Sequence, residues 1–208
     1  MGRVLLAEDH PVVVSAIHML LHGLGYKQIH VVSSGVDVVP MIREHAPDLM
    51  ILDLNLAGMC GLDVLQRIRS IGLVCKVVIF TSAPRNSFLM RCRRAGAMAF
   101  VEKSADLKQL ENAIKAVRSG YTFFPEMHGV SSGQLDALSD ERQLIDRLSD
   151  RELHILVQLA HGKSNKLIAL EMNLSHKTVS TYKTRLMLKL GITSSVTLRE
   201  LVVRNDLF

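Results

Sequence analysis

Cysteine is scarce in this chain of 208 residues, and its spacing suits neither disulfide nor metal chemistry. The three cysteines, Cys60, Cys75 and Cys92, are an odd number and form no CxxC pair. A disulfide framework needs an even number of cysteines, and a structural zinc site usually has closely spaced pairs. We therefore expect reduced thiols, as in a cytosolic protein.

Long hydrophobic runs are also absent, although 48% of the residues are hydrophobic. The first apolar run, residues 4–7, is too short for a signal peptide, and acidic residues follow it directly. No stretch approaches the roughly 18 apolar residues of a membrane span. These absences predict a soluble, cytoplasmic protein without a membrane partner.

The first 120 residues alternate short apolar runs with longer helical patterns. The predicted strands are 3–7, 28–32, 49–52, 76–80 and 99–101, and the predicted helices are 11–23, 36–45, 61–70, 87–95 and 106–119. Five successive βα units favour an α/β domain at residues 1–120, built on a doubly wound, five-stranded parallel sheet with flavodoxin-like strand order.

The alternation stops after residue 120. Pro, Gly and Ser interrupt the next segment, which we interpret as a linker at 121–147 with a short helix near 141–148. Residues 148–208 carry only helical patterns and predict an all-α domain. Ser149 and Glu152 have capping-box spacing, and the following helix buries Leu153, Leu156, Val157 and Ala160. The next helix is expected to bury Leu167, Ile168, Leu170 and Met172.

Polar residues that follow the predicted strands form the candidate site of the first domain. Glu8 and Asp9 follow the first strand, Asp53 the third, Thr81 the fourth and Lys103 the fifth. Strand carboxyl ends share one edge of a parallel sheet, so these side chains should converge. Clustered carboxylates need a cation, and Mg²⁺ favours oxygen ligands and phosphate. Asp53 is the best candidate nucleophile toward phosphorus, with Glu8 and Asp9 serving the metal.

These motifs resemble bacterial response-regulator receiver domains. The matching segments are Glu8-Asp9-His10-Pro11, the run from Asp53 to Gly61, Thr81, and Phe100-Val101-Glu102-Lys103. The resemblance implies that a histidine kinase or phosphotransfer protein phosphorylates Asp53. Two positions depart from the family pattern: Ala57 and Ser104 stand where proline is common.

The same resemblance implies a role for each site residue. Mg²⁺ would bind Glu8, Asp9, Asp53 and the backbone carbonyl of Asn55. Lys103 would contact the phosphoryl group. Thr81 and Phe100 would change orientation on phosphorylation.

Basic and small polar residues concentrate in the second domain. Six basic residues and one acid, Glu171, lie between Lys163 and Lys189. A helix from about 175 to 190 buries Val179, Leu186 and Leu190 and exposes Lys177, Thr181, Thr184 and Leu188 on its opposite face. Short hydroxyls beside long cations on one helix face suit the major groove of DNA.

The second domain resembles the LuxR-type helix-turn-helix of the NarL/FixJ family, and in particular its BvgA and EvgA branch. The resemblance rests on Leu148-Ser149-Asp150-Arg151-Glu152, Gly162-Lys163-Ser164-Asn165-Lys166 and the segment from Lys177 to Leu190. It implies base contacts by Ser180, Thr181 and Thr184, and phosphate contacts by Lys166, Lys177, Thr178 and Lys183. Many relatives have Lys at the position of Ser180. Active protein would bind double-stranded DNA as a homodimer. The apolar residues of the last helix, among them Leu198 and Val202, are expected to pack on their own domain. Because the family uses this helix for dimer contacts, Leu198 and Val202 are also weaker interface candidates.

Two other functions fit parts of the pattern. A phosphatase with Asp53 as nucleophile would carry a second carboxylate two residues later, where this chain has Asn55. A scaffold that works without phosphorylation would have an acidic pocket that binds no Mg²⁺. The sequence favours a transcription regulator over an enzyme.

Overall fold

A computed structural model describes residues 2–125 and 135–207, with side chains for all of these except 135–140. Apart from the short segment 84–87, Pro125 ends the first of two compact units. Each unit is described by itself below.

The first unit is a five-stranded parallel sheet with helices on both faces. Its strands are β1 (Arg3–Ala7), β2 (Gln28–Val32), β3 (Leu49–Leu52), β4 (Lys76–Thr81) and β5 (Ala99–Glu102). Its helices are α1 (Pro11–Gly23), α2 (Gly35–His45), α3 (Gly61–Ser70), α4 (Arg85–Ala95) and α5 (Leu107–Arg118). The strand order is β2-β1-β3-β4-β5, which confirms the predicted flavodoxin-like arrangement.

Alternate residues of the central strands supply the two faces of the sheet. On one face Val4, Leu6 and Ile51 pack with Ile17 of α1 and Ile114 of α5 in a single apolar cluster. The intervening strand residues are also buried, and α2 contacts β1 and β2. The central strands are therefore covered on both sides, which is why they consist of nearly continuous apolar residues.

Several element ends differ from the sequence-based bounds by one or two residues. β4 extends to Thr81, so this residue ends the strand rather than following it. α4 begins at Arg85, two residues earlier than expected. The largest difference is in the predicted linker, where helix α6 spans Leu135–Asp146 instead of a short turn of helix near 141–148.

The second unit contains α6, α7 (Asp150–Ala160), α8 (Asn165–Glu171), α9 (His176–Leu190) and α10 (Ser195–Arg204). Ser149 caps α7 in a capping box with Glu152, as predicted. Its side-chain oxygen accepts from the Glu152 amide, and the Glu152 carboxylate accepts from the Ser149 amide. α9 packs against α7 and α8, which fixes the orientation of its exposed face.

The predicted apolar stripe of α8 is confirmed at Ile168 and wrong at its two leucines. Leu167 and Leu170 of α8 are 42% and 78% exposed, while Ile168 and Ala169 are buried. In α10, Leu198 and Val202 are buried in their own domain and cannot form an interface as the structure stands.

Candidate functional site

Four side chains from two strand ends meet at the carboxyl edge of the sheet. Ligand atoms of Glu8, Asp9, His10 and Asp53 all lie within 4.8 Å of one another. Glu8 and Asp53 are almost completely buried, at 2% and 1% exposed. The register of the sheet explains this, because Ala7 of β1 pairs directly with Leu52 of β3, and each is followed by a carboxylate. The predicted convergence of Glu8, Asp9 and Asp53 is thus what the fold produces.

Lys103 joins this cluster from the end of β5. Its ammonium Nζ lies 2.7 Å from Asp53 Oδ2 and 2.7 Å from Glu8 Oε2. Burial by itself would lower the pKa of Lys103, but the charges and hydrogen bonds of Asp53 and Glu8 outweigh it, so the pKa is raised. The lysine is therefore protonated at neutral pH and holds two carboxylates together.

The loop after β3 holds the Asp53 carboxylate from the other side. The backbone amide of Asn55 donates to Asp53 Oδ1 at 3.1 Å. Gly61, at the start of α3, lets the helix approach this loop, because a Cβ there would lie 2.3 Å from the Asp53 carbonyl oxygen and 2.8 Å from Leu54 Cα. The carboxylate is thus fixed by its own loop before any ligand binds.

The donor set suits a hard divalent cation. Glu8, Asp9 and Asp53 carry three negative charges, and the Lys103 ammonium neutralises one of them. Asp9 Oδ1 and Asn55 Oδ1 are both buried without a hydrogen-bond partner, although His10 Nδ1 lies 2.8 Å from the Asp9 oxygen. Buried oxygens without partners are costly, and a cation would satisfy them.

The remaining predicted residues of this site flank the cluster. Thr81 is fully buried at the end of β4, and its Oγ1 accepts a hydrogen bond from the Ala83 amide at 3.1 Å. This bond leaves the hydroxyl hydrogen to serve as a donor. Phe100 is a fully buried residue of β5, paired with Ile79 of β4. Phe100 is thus held in the core, with β4 between it and β3.

Sequence reasoning missed several contacts near the cluster. His10 Nδ1 lies 3.1 Å from Glu8 Oε1, so the imidazole contacts the acidic pair. The side-chain amide of Asn55, through Nδ2, donates to Ser82 Oγ at 3.0 Å and connects the loop after β3 to the loop after β4. The adjacency of His10 to Glu8 is visible in the sequence, whereas the pairing of positions 55 and 82 depends on the fold.

The sequence also holds a histidine pair with i,i+4 spacing, His18 and His22, whose rings are in edge-to-face contact on α1.

The second candidate site is the exposed face of α9 with the N-terminus of α8. Lys166, Lys177, Thr181 and Thr184 are exposed, and Thr178, Ser180 and Lys183 are half-buried. All except Lys166 lie on α9. Ser175 is the N-cap of this helix, and its Oγ accepts a hydrogen bond from the Thr178 amide at 3.0 Å.

Two of the six basic residues in this region have partners within the domain. Lys163 Nζ lies 2.7 Å from Glu171 Oε2, and Lys189 Nζ lies 2.6 Å from Glu152 Oε2. Burial would raise the pKa of Glu152, but hydrogen bonds from Lys189 and Ser149 outweigh it and hold the pKa below its usual value. At most four cations of this stretch are thus left for an anionic partner.

Hydrogen bonds occupy the small polar residues of α9. Thr181 Oγ1 donates to the Lys177 carbonyl at 2.9 Å, and Thr184 Oγ1 donates to the Ser180 carbonyl at 3.1 Å. Ser180 Oγ accepts from the Asn165 amide of α8 at 3.2 Å. The predicted base-contacting residues therefore lie together on α9, with their hydroxyls already engaged.

None of the helices in the described parts of the chain has the length and apolar character needed to span a bilayer.

Comparison with protein families gives two matches that divide the chain. Residues 4–115 match the response regulator receiver domain. Residues 146–202 match the bacterial regulatory proteins of the luxR family. The first match contains the acidic cluster with Lys103, and the second contains α9.

Two named relatives resemble the chain over almost its full length. BvgA of Bordetella pertussis, by its name a transcription regulator of virulence factors, is 42% identical over 206 residues, covering 99% of each chain. EvgA of Escherichia coli, named as a DNA-binding transcriptional activator, is 32% identical over 204 residues, covering 98% of each chain.

Solved structures show the same fold. RcsB from Salmonella enterica serovar Typhimurium, bound to a promoter with phosphomimetic BeF3⁻, covers 97% of each chain with a TM-score of 0.56 and 24% identity. A LuxR-family DNA-binding response regulator from Staphylococcus aureus covers 56% of this chain and 98% of its own, with a TM-score of 0.53 and 30% identity.

Proposed function

Since the chain belongs to the response-regulator family, with a receiver domain followed by a LuxR-type DNA-binding domain, we propose that phosphorylation of Asp53 controls its binding to DNA. The observation that carries this proposal is the buried Asp53 carboxylate at the end of β3, with the Lys103 ammonium 2.7 Å away. We propose residues 1–120 as the receiver, 121–147 as the linker and 148–208 as the DNA-binding domain.

The chemistry of the receiver follows from these contacts. An Asp53 oxygen attacks phosphorus of a phosphohistidine donor on a histidine kinase or phosphotransfer protein, and the imidazole leaves with the bonding electron pair. The Lys103 ammonium neutralises charge on the transferred group. The Thr81 hydroxyl hydrogen is a donor for a phosphoryl oxygen of the product.

Mg²⁺ is the proposed cofactor, held by Glu8, Asp9, Asp53 and the Asn55 carbonyl. When bound, it would neutralise phosphoryl and carboxylate charge during transfer. Two buried side-chain oxygens support a cation at this place: Asn55 Oδ1, which has no hydrogen-bond partner and is distinct from the proposed carbonyl ligand, and Asp9 Oδ1, which lies 2.8 Å from His10 Nδ1. Both belong to residues already assigned to the pocket.

Phosphorylation would change the balance of charge in the pocket. An acyl phosphate carries more negative charge than the carboxylate it replaces, and its oxygens compete with Glu8 for Lys103. Movement of Thr81 and Phe100 toward the modified site would then favour a second receiver conformation. We propose that this conformation forms the homodimer that binds paired DNA half-sites.

Regulation is a better proposal than enzymatic turnover on outside substrates. Asn55 stands where a phosphatase of this chemistry would place a second carboxylate, and its amide donates to Ser82 Oγ. The alternative of a scaffold that needs no phosphorylation would leave the acidic pocket without a use. A regulator that binds bacterial DNA acts in the cytoplasm, which is the proposed location.

Phosphoryl transfer is tested by incubating the full chain with Mg²⁺ and a small-molecule phosphodonor and measuring intact mass. We expect one added phosphoryl group on the wild type and none on Asp53→Asn. Asp37→Asn is the control, since this exposed carboxylate lies in the first turn of α2, outside the cluster. A phosphoryl group that persists on Asp53→Asn would refute the assignment.

DNA binding through α9 is tested by the salt dependence of affinity. Lys183→Ala should weaken binding to all sequences and reduce the slope of log K against log salt by about 0.9 per lost phosphate contact. Lys27→Ala, at an exposed position of the receiver, is the control. An unchanged slope for Lys183→Ala would remove this residue from the DNA surface.

A further inference from the structure

Two threonines of α9, Thr181 and Thr184, already donate their hydroxyl hydrogens to carbonyl oxygens of the helix. Thr181 donates to the Lys177 carbonyl at 2.9 Å, and Thr184 donates to the Ser180 carbonyl at 3.1 Å. Both are bonds to the residue four positions earlier in the same helix, an arrangement that threonine adopts readily. Both side chains are exposed. What they offer to a partner is therefore a methyl group and the lone pairs of an oxygen.

This chemistry matches one kind of base pair better than the other. In the major groove an A·T pair presents the thymine methyl, the adenine N6 amino donor and two acceptors, adenine N7 and thymine O4. A G·C pair presents two guanine acceptors, N7 and O6, and one cytosine donor. A threonine whose hydrogen is already donated has nothing to give the acceptors of either pair, and its oxygen can accept from the amino group of either. The thymine methyl, which a threonine methyl can contact, is therefore the group that distinguishes A·T.

The third small polar residue of this face is less available. Ser180 is half-buried, and its oxygen accepts from the Asn165 amide of α8 at 3.2 Å. This bond holds α8 against α9, so Ser180 is a positioning residue for the other two. Ser180 carries no positive charge to offer the guanine acceptors.

We infer that α9 distinguishes base pairs through Thr181 and Thr184 as methyl and acceptor groups, and that it selects A·T pairs by contact with thymine methyls. This inference rests on the proposed function of α9 as the DNA-contacting helix. It goes further by naming the base pair and the chemical groups that are recognised.

Replacement of thymine by uracil tests the methyl contact directly, because only the 5-methyl group is removed. The full chain, phosphorylated by a small-molecule donor with Mg²⁺, first selects its sites from a randomised duplex library. We expect A·T pairs at the positions that Thr181 and Thr184 determine. Uracil at those positions should weaken binding about fourfold per methyl group, the effect of losing one buried methyl-sized contact.

Two pairs of variants separate the methyl from the hydroxyl. Thr181→Ser and Thr184→Ser remove the methyl and should bind thymine and uracil duplexes equally well. Thr181→Val and Thr184→Val keep the methyl and should retain the preference for thymine. Because all four changes are at exposed positions, circular dichroism should show the wild-type helix content in each.

The possible outcomes distinguish failure of the A·T inference from failure of the proposed DNA-binding function. Tight binding to selected sites with G·C at these positions, or equal binding of thymine and uracil duplexes by the wild type, would overturn the inference and leave DNA binding intact. Failure of the phosphorylated chain to bind any duplex would overturn both.

Discussion

Removal of the Lys103 ammonium should destabilise the receiver unless a divalent cation replaces it. Lys103→Ala leaves the buried carboxylates of Glu8 and Asp53 without the group that lies 2.7 Å from each. Breaking a fully buried ion pair from one side costs about 3–5 kcal/mol. The lysine side chain is 14% exposed, so we expect about 3 kcal/mol of lost unfolding free energy, the low end of that range.

Mg²⁺ should restore most of this loss. The variant pocket carries three negative charges where the wild type has a net two, so it should bind the cation more tightly. A ligand at about 100 times its Kd adds about 2.7 kcal/mol to the unfolding free energy. Mg²⁺ should therefore stabilise the variant more than the wild type.

Hydrogen exchange at increasing urea concentration, followed by mass spectrometry, can measure the two domains separately. Peptides from β1 and β3 report the receiver, and peptides from α7 and α9 provide an internal reference that should not change. Lys108→Ala is the matched control, because Lys108 pairs with Glu111 at the surface of α5. Equal stabilisation of wild type and Lys103→Ala by Mg²⁺ would refute the idea that ammonium and metal neutralise the same charges.

Three further predictions concern packing and titration. Gly61→Ala should slow phosphorylation and lower receiver stability, because its Cβ would lie 2.3 Å from the carbonyl oxygen of Asp53. Gly23→Ala is the control: its Cβ meets no atom within 4 Å, so the phosphorylation rate and urea unfolding should be unchanged. Because folding lowers the pKa of Glu152, its ionised carboxylate adds to the unfolding free energy of the second domain above pH about 4.5. This contribution is lost as pH falls through the folded pKa. Glu152→Gln should therefore remove the corresponding step from a plot of unfolding free energy against pH. Leu156→Ala should cost about 2–5 kcal/mol and Leu170→Ala less than about 0.5, in urea unfolding, because the first leucine is fully buried and the second is 78% exposed.

The receiver site was largely predictable because a parallel sheet brings strand ends together. Glu8, Asp9, Asp53 and Lys103 needed only the correct strand assignments to be placed at one edge. The roles within the cluster were less accessible. That Lys103 bridges Glu8 and Asp53 equally, and that Asn55 bonds to Ser82, depends on side-chain conformations that spacing does not specify.

The helical domain shows where periodicity fails. α7 and α9 run for 11 and 15 residues, and their predicted buried residues are buried. α8 has only seven residues, about two turns. So few positions do not define a period, and the spacing of its leucines therefore did not identify the buried face. An apolar side chain at the surface is common, and only a buried polar group is informative.

One carboxylate connects the first turn of α7 to the last turn of α9. The Glu152 carboxylate accepts one hydrogen bond from the Ser149 amide at the first turn of α7. It accepts another from the Lys189 ammonium in the last turn of α9, 37 residues later in the chain. Positions 149, 152 and 189 therefore form a single energetic unit. In a double-mutant cycle the losses from changing Glu152 and Lys189 should not add, because either change alone abolishes the bond they share. Evolutionary replacement of one would be tolerated best when the other changes with it.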